Sequence, residues 1–352
     1  MTNISNRKDD HIELALSPDH QDSALSRFDE VCFEHNPLPE LSLEDISLNT
    51  HFLGKNLSAP IIIGAMTGGC DNGELINQHL AEAAEHCNIP MALGSQRASI
   101  ELGLKQNVRC WAPNAVILGN IGATQLQQVG SDLAMRAVES AEANALMIHL
   151  NPLQELIQPN GDRNWSFVLK AIEQCCKDLP VPLIIKEVGS GIGPTAAQKL
   201  LDAGVTWIEV AGQGGTSWAS IEMARNYSLF EQQVAQPFLN WGMDTVSLLP
   251  TLRKMNPKLN LIGSGGVRHG LDIARCIRLG ANISALAQPF LEPALESTDA
   301  VIEKIAILSE QLRWAMFLTG SQTLQHLSEA PLTKAISFKP MNNIPPKRQV
   351  EN

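Results

Sequence analysis

Short aliphatic and β-branched runs alternate with longer amphipathic stretches along most of this chain. The runs are APIIIG (59–64), PMALGS (90–95), AVILGNI (115–121), ALMIHL (145–150), PLIIKEV (182–188), WIEVAG (207–212), LNLIGSGG (259–266) and ISALAQP (283–289), and they read as eight strands. Between most of them, apolar positions recur at about 3.6 residues, the helical period. The stretches are NGELINQHLAEAAEHC, SDLAMRAVESAEAN, NWSFVLKAIEQCCKDL, GPTAAQKLLDAG, HGLDIARCIRLG and STDAVIEKIAILSEQLRWAMFL. The link after the third run and the long GTSWASIEMARNYSLFEQQVAQPFLNWGMDTVSLLP after the sixth are irregular.

Alternation of strand and helix implies an α/β fold with a parallel sheet, and eight units imply closure into a single (β/α)8 TIM barrel. A doubly wound open sheet is the competing topology. The barrel is assigned to residues 59–327, preceded by an N-terminal extension (1–58) and followed by a polar tail (328–352) expected to be flexible.

In such barrels the C-terminal strand ends carry the site and the strand interiors are core. The polar residues follow that division. MTGG (66–69) follows the first run; Ser95, Gln96 and Arg97 the second; Asn120 lies on the third; His149 to Glu155 end the fourth. Lys186 and Glu187 end the fifth, Gln213 to Ser217 follow the sixth, Gly265 to Arg268 the seventh, and Ala287 with Gln288 the eighth.

Composition sets what such a mouth can take. The 352 residues are 44% hydrophobic and 18% charged, as expected of a soluble globular protein. With 37 acidic against 26 basic residues and a net charge of -11, neither a nucleic-acid nor an anionic membrane partner has electrostatic support. A polyanionic substrate must therefore meet local positive charge. Seven cysteines, odd in number and without CxxC pairing, together with the lack of a signal peptide, predict reduced thiols in a cytoplasm. No apolar run reaches the roughly 18 residues of a membrane span.

Two features carry specific chemistry. GSGGVRHGLDIARCI places glycines between a strand and a helix, where bare backbone N–H groups and a helix N-terminus can approach a phosphate. By itself the same stretch also reads as an ordinary glycine-rich turn. Lys186 sits in an otherwise apolar strand, so its charge needs a partner: Glu187, Glu209 or a ligand. Alternation disfavours Glu187, because adjacent strand residues face opposite ways. KEVGSGIGP superficially resembles a dinucleotide loop, but Pro194 occupies the third glycine position and reads as a helix start.

The ordered set RKDDHI, MTGG, GSQR, GN, HLNPLQE, KEVGSGI, GQGGTSW, GSGGVR and AQPF closely resembles type 2 isopentenyl diphosphate isomerases, over residues 5–320. The resemblance implies the same barrel, FMN active in its reduced form as acid and base, Mg²⁺, and NADPH as reductant. The implied reaction interconverts isopentenyl and dimethylallyl diphosphate. It implies Ala65, Met66, Thr67, Ser95, Asn120 and Lys186 around the flavin ring, and Thr216, Gly265, Gly266, Val267, Arg268, Ala287 and Gln288 at its phosphate. Arg7, Lys8, His11, Ser95, Gln96, Arg97, His149, Asn151 and Gln154 would surround the substrate, with His149, Gln154 and Lys186 catalytic and Glu155 on the metal. A diphosphate brings about three negative charges, and Mg²⁺ prefers phosphate oxygens plus one or two carboxylates, which suits a lone Glu155. Family members are commonly tetramers or octamers, so a homo-oligomer is expected.

Asp10, Gln213, Met243 and Asp244 depart from the usual family spelling and leave the conformation of the sixth loop open. Three other functions remain at this stage. A flavin-dependent 2-hydroxy-acid oxidase needs a histidine and arginine pair, for which Arg268 and His269 are the candidates. An enzyme like inosine-monophosphate dehydrogenase needs a cysteine within 213–245, which holds none. A noncatalytic barrel that binds a phosphorylated ligand is the third.

Overall fold

The computed structural model describes residues 3–22, 25–66, 73–101, 103, 106–226 and 228–333, with the backbone alone for 3–9. Eight parallel strands close into a barrel in sequential order. They are β1 (Ile61–Ile63), β2 (Met91–Ala92), β3 (Ile117–Gly122), β4 (Ala145–His149), β5 (Leu183–Lys186), β6 (Trp207–Glu209), β7 (Asn260–Gly263) and β8 (Ile283–Leu286). Every expected run holds a strand. The second run and the last four end two or three residues sooner than expected, at Ala92, Lys186, Glu209, Gly263 and Leu286, because the chain bends there into the loops of the barrel mouth.

Strand alternation sorts the core. Ile62, Ala92, Leu118, Met147, Ile184, Ile262 and Ala285 face inward and share one buried cluster. Their neighbours Ile61, Ile63, Ile117, Leu146, Ile148, Ile185, Ile208 and Leu261 face the surrounding helices. A hairpin of Thr50–Phe52 and Lys55–Leu57 adds Phe52 and Leu57 to the inner cluster. Phe52 meets Trp207, the first residue of β6, edge to face at 4.8 Å, so the hairpin plugs the N-terminal end of the barrel. Carried to the opposite end, the same alternation turns Asn120, His149, Lys186 and Glu209 inward. Parallel register then sets His149 beside Lys186 and Lys186 beside Glu209.

The six expected helices form, at Gly73–Cys87, Ser131–Ala141, Val168–Asp178, Pro194–Asp202, Gly270–Arg278 and Thr298–Leu318. The irregular link after β3 is two helices, Ala123–Val129 and Ser131–Ala141, broken where Gly130 takes φ 86°. The long loop after β6 contains helices Trp218–Arg225, Leu229–Ala235 and Thr245–Met255. Its unusual residues are accommodated. Asp244 caps the last helix by accepting from Ser247 N at 2.9 Å, and Met243 O accepts from Gln213 N at 3.0 Å.

The extension opens with helix Asn3–Leu16, which the strand–helix pattern did not predict. At the other end the packed chain continues past 327: helix Leu324–Glu329 buries Leu327, and Thr333 N donates to Cys32 O at 2.9 Å. Only residues 334–352 of the expected tail lie outside the described residues.

Candidate active site

A cavity of about 490 Å³ occupies the C-terminal mouth of the barrel, where (β/α)8 folds place their chemistry. Ala65 and Met66 line it after β1, Ser95 and Arg97 after β2, Asn120 on β3, and His149, Asn151, Gln154 and Glu155 at β4. Lys186 and Glu209 contribute from β5 and β6, Thr216 from the sixth loop, Gly265 to Arg268 from the seventh, and Ala287 with Gln288 from the eighth. His11, Ile12 and Ala15 of the N-terminal helix reach it as well. Thr67 and the side chains of Arg7 and Lys8 lie outside the described residues.

His149 Nδ1 lies 2.9 Å from Asn120 Oδ1. Asn120 Nδ2 donates to Leu93 O at 3.0 Å, so its Oδ1 must be the acceptor and His149 carries its proton on Nδ1. Nε2 is then a bare acceptor. Burial, reinforced by the Lys186 charge, lowers the imidazole pKa to about 3, so the ring is neutral.

Lys186 Nζ donates to Glu187 O at 2.6 Å and lies 3.9 Å from Glu209 Oε1. The Glu187 carboxylate turns away, as alternation requires. Its Oε2 accepts from Val188 N and Gly189 N at 2.7 Å, from Gly191 N at 3.1 Å and from Ser190 N. The glycine loop that superficially resembled a dinucleotide site therefore wraps an anion of its own chain.

The polar turn after β4 is a set of fixed amides and carboxylates. Asn151 Nδ2 donates to Gln154 Oε1 at 3.1 Å and Glu155 Oε1 at 3.0 Å, while Asp162 N donates to Glu155 Oε2 at 2.7 Å. Gln154 Nε2 donates to Glu222 Oε1 at 3.0 Å, which also lies 3.0 Å from His11 Nε2. Burial favours protonation of Glu222, but His11, Gln154 and Arg225 outweigh it and hold the pKa below the ordinary value. Arg97 reaches Glu101 at 2.9 Å and Asp162 at 3.4 Å.

Across the ring from β3 and β4, the loops after β6 and β7 stack backbone on backbone. Gly265 and Gly266 adopt φ 89° and 77°, and a Cβ on Gly265 would sit 2.0 Å from Gly212 O. That spacing requires glycine. Among the described residues, the N–H groups of Gly265, Gly266 and Val267 have no protein acceptor, so they form an open cradle for an anion.

Two expected contacts differ. Gln96 is 1% exposed and points out of the barrel: Nε2 donates to Ala137 O at 3.0 Å and Oε1 accepts from Asn120 N at 2.8 Å. It pins β3 to a helix and does not face the cavity. Arg268 has its guanidinium committed to Asp29 and Asp272, both at 3.0 Å, leaving only its position in the loop to serve a phosphate.

The structure adds Glu222 and Trp218, whose ring meets His11 at 5.1 Å, and Asp162, which ties Arg97 to Glu155. Trp218 ends the GQGGTSW motif but was given no role, and no local pattern marks Glu222 or Asp162, whose partners His11, Gln154 and Arg97 come from other segments. Glu209 was one of the partners the sequence offered Lys186, and the register of β5 with β6 selects it.

A family model described as FMN-dependent dehydrogenase matches residues 120–334. An isopentenyl-diphosphate delta-isomerase of Pseudescherichia vulneris is 46% identical over 332 residues, covering 93% of this chain and 96% of that protein. One of Stutzerimonas stutzeri is 46% identical over 335 residues, covering 94% and 97%. Among solved structures, a mandelate oxidase variant with a monooxide FMN adduct superposes with TM-score 0.65 at 16% identity, covering 92% of this chain and 95% of that one. That likeness is one of fold.

Proposed function

This chain belongs to the isopentenyl-diphosphate delta-isomerase family, and from that premise we propose that it interconverts isopentenyl and dimethylallyl diphosphate with FMN as cofactor. The observation that carries the reading is one cavity with two ends suited to phosphate groups, on opposite sides of the barrel ring. One is the glycine cradle at β7 and β8; the other is the cluster of Arg97, His149, Asn151, Gln154 and Glu155 at β2 and β4. A flavin mononucleotide anchored at the first leaves the second for a diphosphate.

The residues fit both ligands. The glycine cradle and the ends of β7 and β8 would hold the FMN phosphate, and Lys186, Asn120 and Ser95 would meet its ring. Reduced FMN supplies the acid and base that a redox-neutral double-bond shift needs. Glu155 keeps lone pairs beyond its contacts with Asn151 and Asp162, so it suits Mg²⁺ held jointly by a carboxylate and the diphosphate. Among the described residues no three His, Cys, Asp or Glu gather as a metal cage, which makes the diphosphate part of any such site.

The protein's own work is orientation and exclusion of water. Neutral His149 presents Nε2 as an acceptor, and Gln154, fixed at both ends by Asn151 and Glu222, presents one amide geometry. The N-terminal helix covers the mouth and is held there by Asp10, whose carboxylate accepts from Arg225 Nε at 3.2 Å. NADPH as reductant and assembly into a homo-oligomer belong to the same reading. Exposed Leu229 (75%), Phe230 (74%) and Trp241 (64%) support assembly, because monomers seldom expose so much apolar surface in one segment. Among the described residues no helix is long and apolar enough to cross a membrane.

A 2-hydroxy-acid oxidase is disfavoured by its candidate residues. Arg268 is spent on Asp29 and Asp272, and His269 Nδ1 accepts from Asp272 N at 3.3 Å to cap a helix. The deciding experiment incubates the protein anaerobically with isopentenyl diphosphate, FMN, Mg²⁺ and NADPH. Dimethylallyl diphosphate should form without stoichiometric loss of NADPH. Reductant consumed in proportion to product would indicate an oxidoreductase, and a bound flavin with no turnover a binding barrel.

A further inference from the structure

At the floor of the cavity, three adjacent strands present His149, Lys186 and Glu209 side by side, and one oxygen of that set is left over. Glu209 is 2% exposed. Its Oε1 accepts from Ser264 Oγ at 2.8 Å, and Ser264 Oγ accepts in turn from Ala211 N at 3.2 Å. Its Oε2 has no protein partner. Burial pushes its pKa above the ordinary carboxylate value, and Lys186, set directly opposite by register, together with Ser264 pulls it back toward the charged form.

Lys186 in turn depends on Glu209. At 3.9 Å the two attract as charges, while the ammonium proton closest to the backbone goes to Glu187 O. Glu187 cannot neutralise it, since its carboxylate is occupied by four backbone N–H groups. Among the described residues Glu209 is the one carboxylate within ion-pair distance of Lys186.

We propose that Glu209 is a positioning residue of the flavin site: it offsets the Lys186 charge and thereby sets how strongly the cavity floor favours a reduced, anionic isoalloxazine over an oxidised one. This inference rests on the FMN reading above. Lys186 alone would pull electrons onto the ring, and the Lys186–Glu209 pair pulls less. The pair keeps a cofactor that must serve as acid and base from being locked as an anion.

Coulomb repulsion between Glu209 and a reduced ring held beside Lys186, taken at an effective dielectric near 20, puts the effect at about 10- to 100-fold in the relative affinity for reduced over oxidised FMN. For a two-electron couple that is about 30–60 mV. The test is an anaerobic redox titration of the FMN-loaded protein against an indicator dye. Glu209→Gln removes the charge at constant shape and should raise the midpoint potential by that amount; Lys186→Met should lower it. Glu209→Asp, which keeps a charge but withdraws it by one methylene, should shift the potential upward by less, and stands in where the Gln variant does not fold. A potential unchanged or lowered in the Gln variant, or in the Asp variant where Gln does not fold, overturns the inference. Failure of the unsubstituted protein to bind FMN would overturn the FMN reading instead.

Discussion

His149→Asn isolates the cost of keeping a neutral imidazole in the barrel. Asparagine places an N–H where Nδ1 now donates to Asn120 Oδ1, so the hydrogen bond survives while the titrating group is lost. In the folded protein burial, helped by Lys186, holds the imidazole pKa at about 3, whereas in the unfolded chain it returns to its ordinary 6.5. Between those values the unfolded state binds a proton that the folded state does not. Stability must therefore fall as pH drops below about 6.5, and His149 contributes no pH dependence above that. Each pH unit is worth about 1.4 kcal/mol, so at pH 5 the unsubstituted protein loses about 2 kcal/mol through this group. Against a typical total of about 5–15 kcal/mol that is readily measured. Urea unfolding of FMN-free protein from pH 5 to 8 should show the unsubstituted chain losing about 2 kcal/mol more than His149→Asn between pH 7 and pH 5. All other titrating groups are shared and cancel in the difference. Parallel profiles would refute the neutral, part-buried histidine and with it the assignment of Nε2 as an acceptor.

Gly265→Ala forces a Cβ against the Gly212 backbone in a left-handed conformation, and should cost about 2–4 kcal/mol of stability and at least about tenfold in FMN affinity, read by thermal melts and flavin titration. Unchanged melts would contradict the close stacking of the two loops. Glu155→Gln should raise the Mg²⁺ concentration needed for turnover and lower activity by about 10- to 100-fold while leaving FMN binding intact. A wild-type magnesium titration would remove Glu155 from the metal site. Asp162→Ala frees Arg97 from one of its two carboxylates and should raise KM for the diphosphate more than it lowers kcat, measured by steady-state kinetics. An effect on kcat alone would mean that Asp162 does not act through Arg97.

Strand positions were legible because burial in a parallel barrel demands continuous apolar runs, and APIIIG or ALMIHL satisfies that demand within a few residues. The far ends of several runs were read as strand although they bend, since Leu93, Val188 and Val210 remain apolar in the loops. Gln96 shows why a motif is not a direction: GSQR sets Ser95 and Arg97 at the cavity and Gln96 between barrel and helix, where Ala137 O and the Asn120 amide compete successfully for its amide group. Arg268 is similar. The basic residue after the glycine loop suited a phosphate, but Asp29, from a distant part of the extension, and Asp272, one helical turn on, claim it.

What the sequence determined is whatever depends on period and local backbone chemistry: eight strands, inward-facing Asn120, His149 and Lys186, and a glycine-rich turn at 263–266. The strands and their inward residues follow from the two-residue repeat; the glycines were legible as a turn, and only the packing of Gly265 against Gly212 and of Gly266 against Gly214 makes them obligatory. Tertiary structure decided the partners. Closing the ring fixed the register that sets Lys186 against Glu209, the sixth loop brought Glu222 to Gln154 and His11, and the loop after β4 brought Asp162 to both Glu155 and Arg97. Charges and amides can satisfy themselves in many ways along a chain, and only the folded arrangement fixes which partner is within reach.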